Sequence, residues 1–211
     1  MNIGILGSGS MGTALAIRLL RAGHDVRLGS RNPERAARDD GHAISHCSYD
    51  EAVAHGEIVI LAIGWPHGVE ALQAIAGLNG KILLDVSNPE TEDGRDLVLG
   101  HTISGAETVA QNASGAFVVK AFNHVYAELL VEPAPLPSNP SVLFCGDDAS
   151  AKQTVRTMIE SCGLDAVDVG ELSSARFLEP MAMLTVRMVR VLGNAPNAIA
   201  WKVLRGPDAP A

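Results

Sequence analysis

The chain has 211 residues, of which 47% are hydrophobic and only 4% aromatic, and a formal net charge of −8; this suits one large α/β domain, with or without a short appendage, around an aliphatic core. No basic tract is present, which argues against nucleic acid or an anionic membrane surface as a partner. The three cysteines, Cys47, Cys145 and Cys162, are far apart and odd in number, so they suggest neither a disulfide framework nor a C-x-x-C metal site, and they fit a reducing cytoplasm.

Ile3, Ile5 and Leu6 form a short apolar run that stops at Gly7, and the spacing predicts a helix from the next turn through Leu20. Interrupted by Gly4, Gly7 and Gly9 and lacking a basic leader, this start reads as a first strand and not as a signal peptide. Gly7, Gly9 and Gly12 give G-x-G-x-x-G between that strand and helix, the context a dinucleotide-binding turn requires. Gly7 allows the tight turn, Gly9 lets a pyrophosphate approach the backbone, and Gly12 lets the helix lie close to the strand. The N–H groups at the helix start then face an anion.

The second strand, Asp25 to Gly29, bears on which nicotinamide nucleotide binds. An NAD site usually carries an acid about 20 residues past the glycines, whereas an NADP site places cations and hydroxyl donors there. Here the strand runs into Gly29-Ser30-Arg31 with no acid at its tip, and Arg35 lies one helical turn further on. Ser30 can donate to a 2′-phosphate, and Arg31 can grip the phosphate or stack on adenine. The expected cofactor is NADP(H).

Ala43 to Ser45 reads as a short third strand and Tyr49 to His55 as a helix. Glu57 to Ile63 is apolar without alternation, the pattern of a strand buried on both faces, and its core is too short to span a bilayer. In a doubly wound sheet the loop at a strand's carboxyl end faces the nucleotide, so Ile63, Gly64, Trp65 and His67 are expected beside it. For Trp65 and His67, packing over the sheet edge is an equal alternative. A helix is predicted over Val69 to Ala76, a strand over Lys81 to Val86, a polar surface loop over Glu90 to Gly100 and a helix over Ser104 to Asn112. The strand Ala116 to Asn123 embeds Lys120, which either pairs with a carboxylate or brings a positive charge near the cofactor.

Residues 132–140 hold four prolines and form a connector. Ser141 to Cys145 is again a strand, and Asp147 and Asp148 have the spacing of an N-cap and a first-turn acid for a helix from Ala149 to Cys162. Asp165 to Val169 is the last strand. Leu172 to Leu192 is expected as one apolar helix containing Pro180, followed by a break at Gly193 to Pro196 and a short helical end through Leu204. This helix is more apolar than one face requires, so it either plugs one side of the cleft or packs on a second subunit, giving a homodimer; the second is preferred. The fold class is therefore α/β, a Rossmann-type, mostly parallel, doubly wound sheet. Residues 1–170 are expected to form the NADP-binding domain and residues 171–211 a helical extension.

The segments GSGSMG, GSRNPER, WPH, DVSNP, VVKAFN, CGDDASAK and DVGELSSARFLEP occur in the order and spacing of the NADPH-dependent F420 reductases. The chain resembles that family over nearly its whole length, and is also similar to the cytosolic domain of the STEAP-type metalloreductases. The resemblance implies hydride transfer between NADP(H) and F420, FAD or FMN as a small-molecule acceptor. By position, Ser8, Ser10 and Met11 would line the pyrophosphate turn, Ser30, Arg31 and Arg35 the 2′-phosphate, and Ile63, Gly64 and His67 the nicotinamide side. Such a transfer needs two flat rings held face to face and no catalytic nucleophile. Asn88, Asn123 and His124 are candidates for bonding the carboxamide or the acceptor, with Pro89 and Phe122 as apolar walls; each serves equally well as a strand-end cap. Two rivals are a reductase of another small substrate and a non-catalytic NADPH sensor.

Overall fold

The computed structural model describes residues 1–39, 43–113, 115–133 and 135–206. The first half alternates strand and helix: β1 (Asn2–Leu6), α1 (Ser10–Arg21), β2 (Asp25–Gly29), α2 (Pro33–Asp39), β3 (Ser45–Cys47), α3 (Tyr49–His55), β4 (Ile58–Leu61), α4 (His67–Ala74) and β5 (Ile82–Asp85). The second half continues with α5 (Gly105–Asn112), β6 (Phe117–Lys120), α6 (Ala127–Val131), β7 (Ser141–Gly146), α7 (Ala149–Ser161), β8 (Asp165–Asp168) and α8 (Ala175–Arg190). One eight-stranded sheet runs in the order β3-β2-β1-β4-β5-β6-β7-β8, and every pair is parallel except β6 with β7. This is the expected Rossmann-type α/β architecture. No described helix is long and apolar enough to cross a membrane.

The strands are apolar throughout because both faces are covered. Ile3, Ile5, Ile58, Ile60 and Val119 point to one face, under α1 and α7. Leu6, Val59, Leu61, Leu83 and Val118 point to the other, with Val53 of α3, Val109 of α5 and Leu178 of α8. Adjacent residues alternate between two cores, as the pleat dictates.

Four expectations need correction. The third strand lies at Ser45–Cys47, not Ala43 to Ser45, because register with β2 sets Gly29 opposite Cys47. The strand β4 ends at Leu61 because its partner β1 ends at Leu6, where the chain turns at Gly7. The tail helix begins only at Ala175, after a 3-10 turn at Leu172–Ser174, and no helix runs on to Leu204. After one 3-10 turn at Pro196–Ala198, the tail instead bonds to the start of β7: Ser141 N–H donates to the Trp201 carbonyl at 2.8 Å, and Val203 N–H to Ser141 Oγ at 3.0 Å. Finally, Asp148 caps α7 by accepting from Ala151 N–H at 2.7 Å, but Asp147 lies outside the helix and accepts from Leu172 N–H at 2.8 Å.

Lys120 takes the paired alternative. It is fully buried at the end of β6, with Nζ 2.8 Å from Asp85 Oδ2, 3.0 Å from Glu179 Oε1 and 2.5 Å from the Ser87 carbonyl. Burial alone would pull its ammonium down; the carboxylates of Asp85 and Glu179 outweigh that and hold it above its usual range. Glu179 also accepts from the N–H groups of Gly105 and Ala106, which open α5. One lysine thus joins two strands, α5 and α8. A second tie between α5 and α8 is the fork of Arg176 on Glu107 (Nε to Oε2, 2.9 Å), beside the Ser104–Glu107 capping box.

Lys120→Met keeps the aliphatic stem but leaves two carboxylates buried without their cation. It is expected to cost about 3–5 kcal/mol, read as a lower urea midpoint; a loss under about 1 kcal/mol would show that the triad is dispensable. Arg176, helped by Ser104, holds the Glu107 carboxyl down at about 2, against 4.5 for an unperturbed glutamate. A carboxyl depressed in the folded state stabilises above its unfolded value and loses that contribution as pH falls. The stability gap between the native protein and Glu107→Gln should therefore shrink from pH 4.5 to about 2; a gap constant over that window in denaturant titrations would refute the pairing.

Candidate functional site

A cleft of about 1090 Å³ opens along the carboxyl edge of the sheet, where β1, β2, β3 and β4 end. Its centre is the turn from β1 to α1. Gly7 has φ of +113°, and its N–H donates to the Gly29 carbonyl at 2.9 Å. A Cβ at Gly7 would lie 2.5 Å from the Ala62 carbonyl oxygen, and one at Gly12 would overlap the Gly7 carbonyl. Both glycines are therefore required by the chain's own packing. Gly9 differs: its φ is −77°, and a Cβ there meets no protein atom within 4 Å. Such a group would project into open space in the cleft. Gly9 is also the N-cap of α1, so no capping side chain covers the first-turn N–H groups, and no acid sits in that turn. The result is an open anion seat at a helix N-terminus.

At the tip of β2, Ser30 N–H donates to the Cys47 carbonyl at 3.0 Å. The Ser30 side chain is 7% exposed, lines the cleft, and its Oγ has no hydrogen-bond partner. A buried hydroxyl without a partner costs about 1–3 kcal/mol, which a ligand acceptor would relieve. Arg31 and Arg35 are exposed and line the same end. Asn32 Oδ1 accepts from Arg35 N–H at 3.0 Å at the start of α2. His46 and Tyr49 complete this end from β3 and α3. At the other end Ala62, Ile63 and Gly64 follow β4, with Ala62 N–H still bonded to the Leu6 carbonyl at 2.9 Å.

Of the residues expected from sequence, Gly7, Ser8, Gly9, Ser10, Ser30, Arg31, Arg35, Ile63 and Gly64 line this cleft together. The rest lie elsewhere. Met11 packs against the core and Gly12 is buried under the turn. His67 opens α4, exposed, with Nδ1 3.0 Å from Glu70 Oε2. The carboxamides of Asn88 and Asn123 bind each other: Asn88 Nδ2 donates to the Asn123 carbonyl at 2.9 Å, and Asn123 Nδ2 to Asn88 Oδ1 at 3.0 Å and to the Leu178 carbonyl at 2.9 Å. Pro89 is buried, and Phe122, at 1% exposure and φ of +60°, is part of the core. Burial pushes the His124 imidazole down to about 4, which keeps it neutral where it receives the Leu143 N–H.

Sequence reasoning missed one whole wall. Glu128 and Val131 of α6 and Glu132 just after it, with Pro196 and Asn197 of the tail, line the cleft together with the first turns of α1. Asn197 Nδ2 donates to the Glu132 carbonyl at 3.1 Å, and Arg21 Nη1 to the Val131 carbonyl at 2.9 Å, tying that wall to α1. No local signal marks these residues, because they reach the cleft only through tertiary packing. Asn32 was within reach of sequence analysis as the N-cap before Pro33.

Residues 2–89 match the family described as NADP oxidoreductase, coenzyme F420-dependent. The chain is 40% identical to metalloreductase STEAP3 of Rattus norvegicus over 181 residues, 86% of this chain and 36% of that protein. It thus spans little more than a third of that relative's length. It is 28% identical to the F420-dependent NADP reductase of Methanothermobacter marburgensis over 212 residues, 89% of this chain and 92% of that one. A crystal structure from Arthrobacter sp. FB24, assigned as an F420-dependent NADP reductase, superposes with a TM-score of 0.85 at 30% identity, covering 97% of this chain and 100% of that chain. With residues 2–89 matched and a structural relative at 30% identity covered over its full length, the chain belongs to the family of coenzyme F420-dependent NADP oxidoreductases.

Proposed function

We propose that the protein is an NADP(H)-dependent oxidoreductase that passes a hydride between NADPH and the flat ring of a deazaflavin or flavin acceptor. The observation that carries this reading is the Ser30 hydroxyl at the tip of β2, buried, without a partner and lining the same end of the cleft as Arg31 and Arg35. That donor set matches a 2′-phosphate and has no acid to bond a free 2′-hydroxyl. Ser30, Arg31 and Arg35 would hold the phosphate. The N–H groups at the start of α1 would hold the pyrophosphate, with Gly9 leaving room for it. Ile63 and Gly64 would floor the nicotinamide.

When bound, NADPH supplies the hydride from C4 of its nicotinamide. The protein's task is positioning: the cleft aligns the ring, and its walls keep water from the transfer. Neither task calls for a nucleophile, and the end of the cleft that would take the nicotinamide is lined by Ala62, Ile63 and Gly64. The family supports the cofactor; the choice among F420, FMN and FAD rests on similarity to proteins named for F420.

The direct test follows NADPH oxidation, with NADH as control, against F420, FMN, FAD and a ferric chelate in parallel. Preferential turnover of F420 or a flavin with NADPH supports the reading; tight NADPH binding with no turnover of any acceptor would make the protein a nucleotide sensor. Arg31→Ala is expected to weaken NADPH by about 1.5–3 kcal/mol, the range for hydrogen bonds to charged groups, and to weaken NADH by clearly less, since NADH lacks the 2′-phosphate. Equal loss for both would move the phosphate elsewhere. Gly9→Ala should melt at the native temperature yet bind neither nucleotide, since its Cβ meets only ligand space; retained NADPH affinity would refute the pyrophosphate assignment.

A further inference from the structure

The two strand ends beside the phosphate seat each carry a flat side chain. Gly29 and Cys47 are paired in register, and Ser30 N–H bonds the Cys47 carbonyl at 3.0 Å. Two residues beyond each paired position stand Arg31 and Tyr49, and both line the cleft. Tyr49 is the first residue of α3, and its backbone is locked by the reciprocal Ser48–Glu51 capping box. That box accounts for Ser48 and Glu51 but makes no demand for an aromatic ring between them.

The ring is half-buried, resting one side on the core cluster that includes Cys47 and Val53. Burial pushes its phenol up, and the Arg31 guanidinium lies near enough to draw it part of the way back. The other side of the ring is left to the cleft. A dinucleotide that crosses the strand ends from Gly9 to Ser30 continues outward with its adenine beyond β2, over the end of β3. That is where Tyr49 stands.

We propose that Tyr49 is the adenine-stacking residue of the cleft, with the Arg31 guanidinium on the opposite face of the base. Arg31 then serves both halves of the adenosine 2′-phosphate: its charge meets the phosphate and its plane meets the ring. The inference rests on reading the cleft as an NADP(H) site. It assigns to Tyr49 a contact with the base common to NADPH and NADH, and to the phenol hydroxyl no part in binding. Stacking also tolerates any purine, because every base offers a π face. The hypoxanthine analogue of NADPH should therefore bind like NADPH itself.

The test titrates wild-type protein, Tyr49→Ala and Tyr49→Phe with NADPH, NADH and reduced nicotinamide mononucleotide, with melting temperatures recorded in parallel. Tyr49→Ala is expected to bind NADPH and NADH about tenfold more weakly, by the same factor for each. Its affinity for the mononucleotide, which has no adenine, should equal the wild-type value, and Tyr49→Phe should match the wild type throughout. Equal loss for the mononucleotide would overturn the proposal in favour of a scaffold role. Loss confined to NADPH and shared by Tyr49→Phe would overturn it in favour of a phosphate contact through the hydroxyl, and no loss at all would remove the ring from the site. If the wild-type protein itself failed to bind NADPH, the cofactor reading would fall and this inference with it; the preceding outcomes overturn the inference alone.

Discussion

A lysine ammonium with no exposed surface sits where β5 and β6 end, and the carboxyl edge of the sheet is built around it. Removing such a charge from water costs several kcal/mol, so it is tolerable only with good partners. Lys120 has them from three directions: Asp85 from the neighbouring strand, the Ser87 carbonyl from the turn that follows, and Glu179 from α8. Two carboxylates against one cation leave a negative excess. The N-terminus of α5 answers it through the Gly105 and Ala106 N–H groups on Glu179. Each member is satisfied only when all four elements are in place, so the network specifies their arrangement more than it adds stability.

The cleft is assembled differently. Its glycine turn is set mainly by backbone contacts among β1, α1 and the end of β4, with the Thr13 hydroxyl donating to the Ser8 carbonyl at 3.4 Å. Its phosphate end depends on β2 and β3 pairing in one register, which brings Ser30, Arg31, His46 and Tyr49 to one place. Its outer wall comes from α6 and the tail, about 120 and 190 residues along the chain. Charge divides accordingly, with arginines at the phosphate end and Glu128 and Glu132 on the outer wall. In the proposed reading, the part set by backbone contacts would hold the pyrophosphate, and the part added by packing would shape the approach.

Much of this was readable in the sequence because the signals were local. The glycine turn, the apolar strands and an aspartate cap for α7 each lie within a few residues and follow from steric or hydrogen-bonding rules, although the cap falls on the second aspartate, Asp148, and no acid sits in the first turn. The β3 register was not readable: three residues carry too little pattern, and pairing with Gly29 decided it. The direction of β7 was hidden for a related reason. The 20 residues between β6 and β7 are long enough for a crossover but hold only a five-residue helix, and nothing in their pattern marks that the chain enters β7 antiparallel to β6. The burial of Lys120 implied a carboxylate, but Glu179, 59 residues away, could not be picked out from sequence. Asn88 and Asn123 could serve in isolation as ligand donors or as strand-end caps; folding brings them together, and they hydrogen-bond to each other.

The three glycines of the turn answer to different masters. Gly7 and Gly12 serve the fold, whereas the α-carbon of Gly9 faces space that no protein atom fills. Selection for folding and selection for binding therefore act on separate positions of one short motif, and drift can uncouple them. A lineage released from nucleotide chemistry would be free to change the middle glycine while the outer two persisted as fossils of the ancestral turn. A G-x-x-x-x-G remnant between a strand and a helix is thus the mark to look for in folded descendants that have left redox chemistry behind.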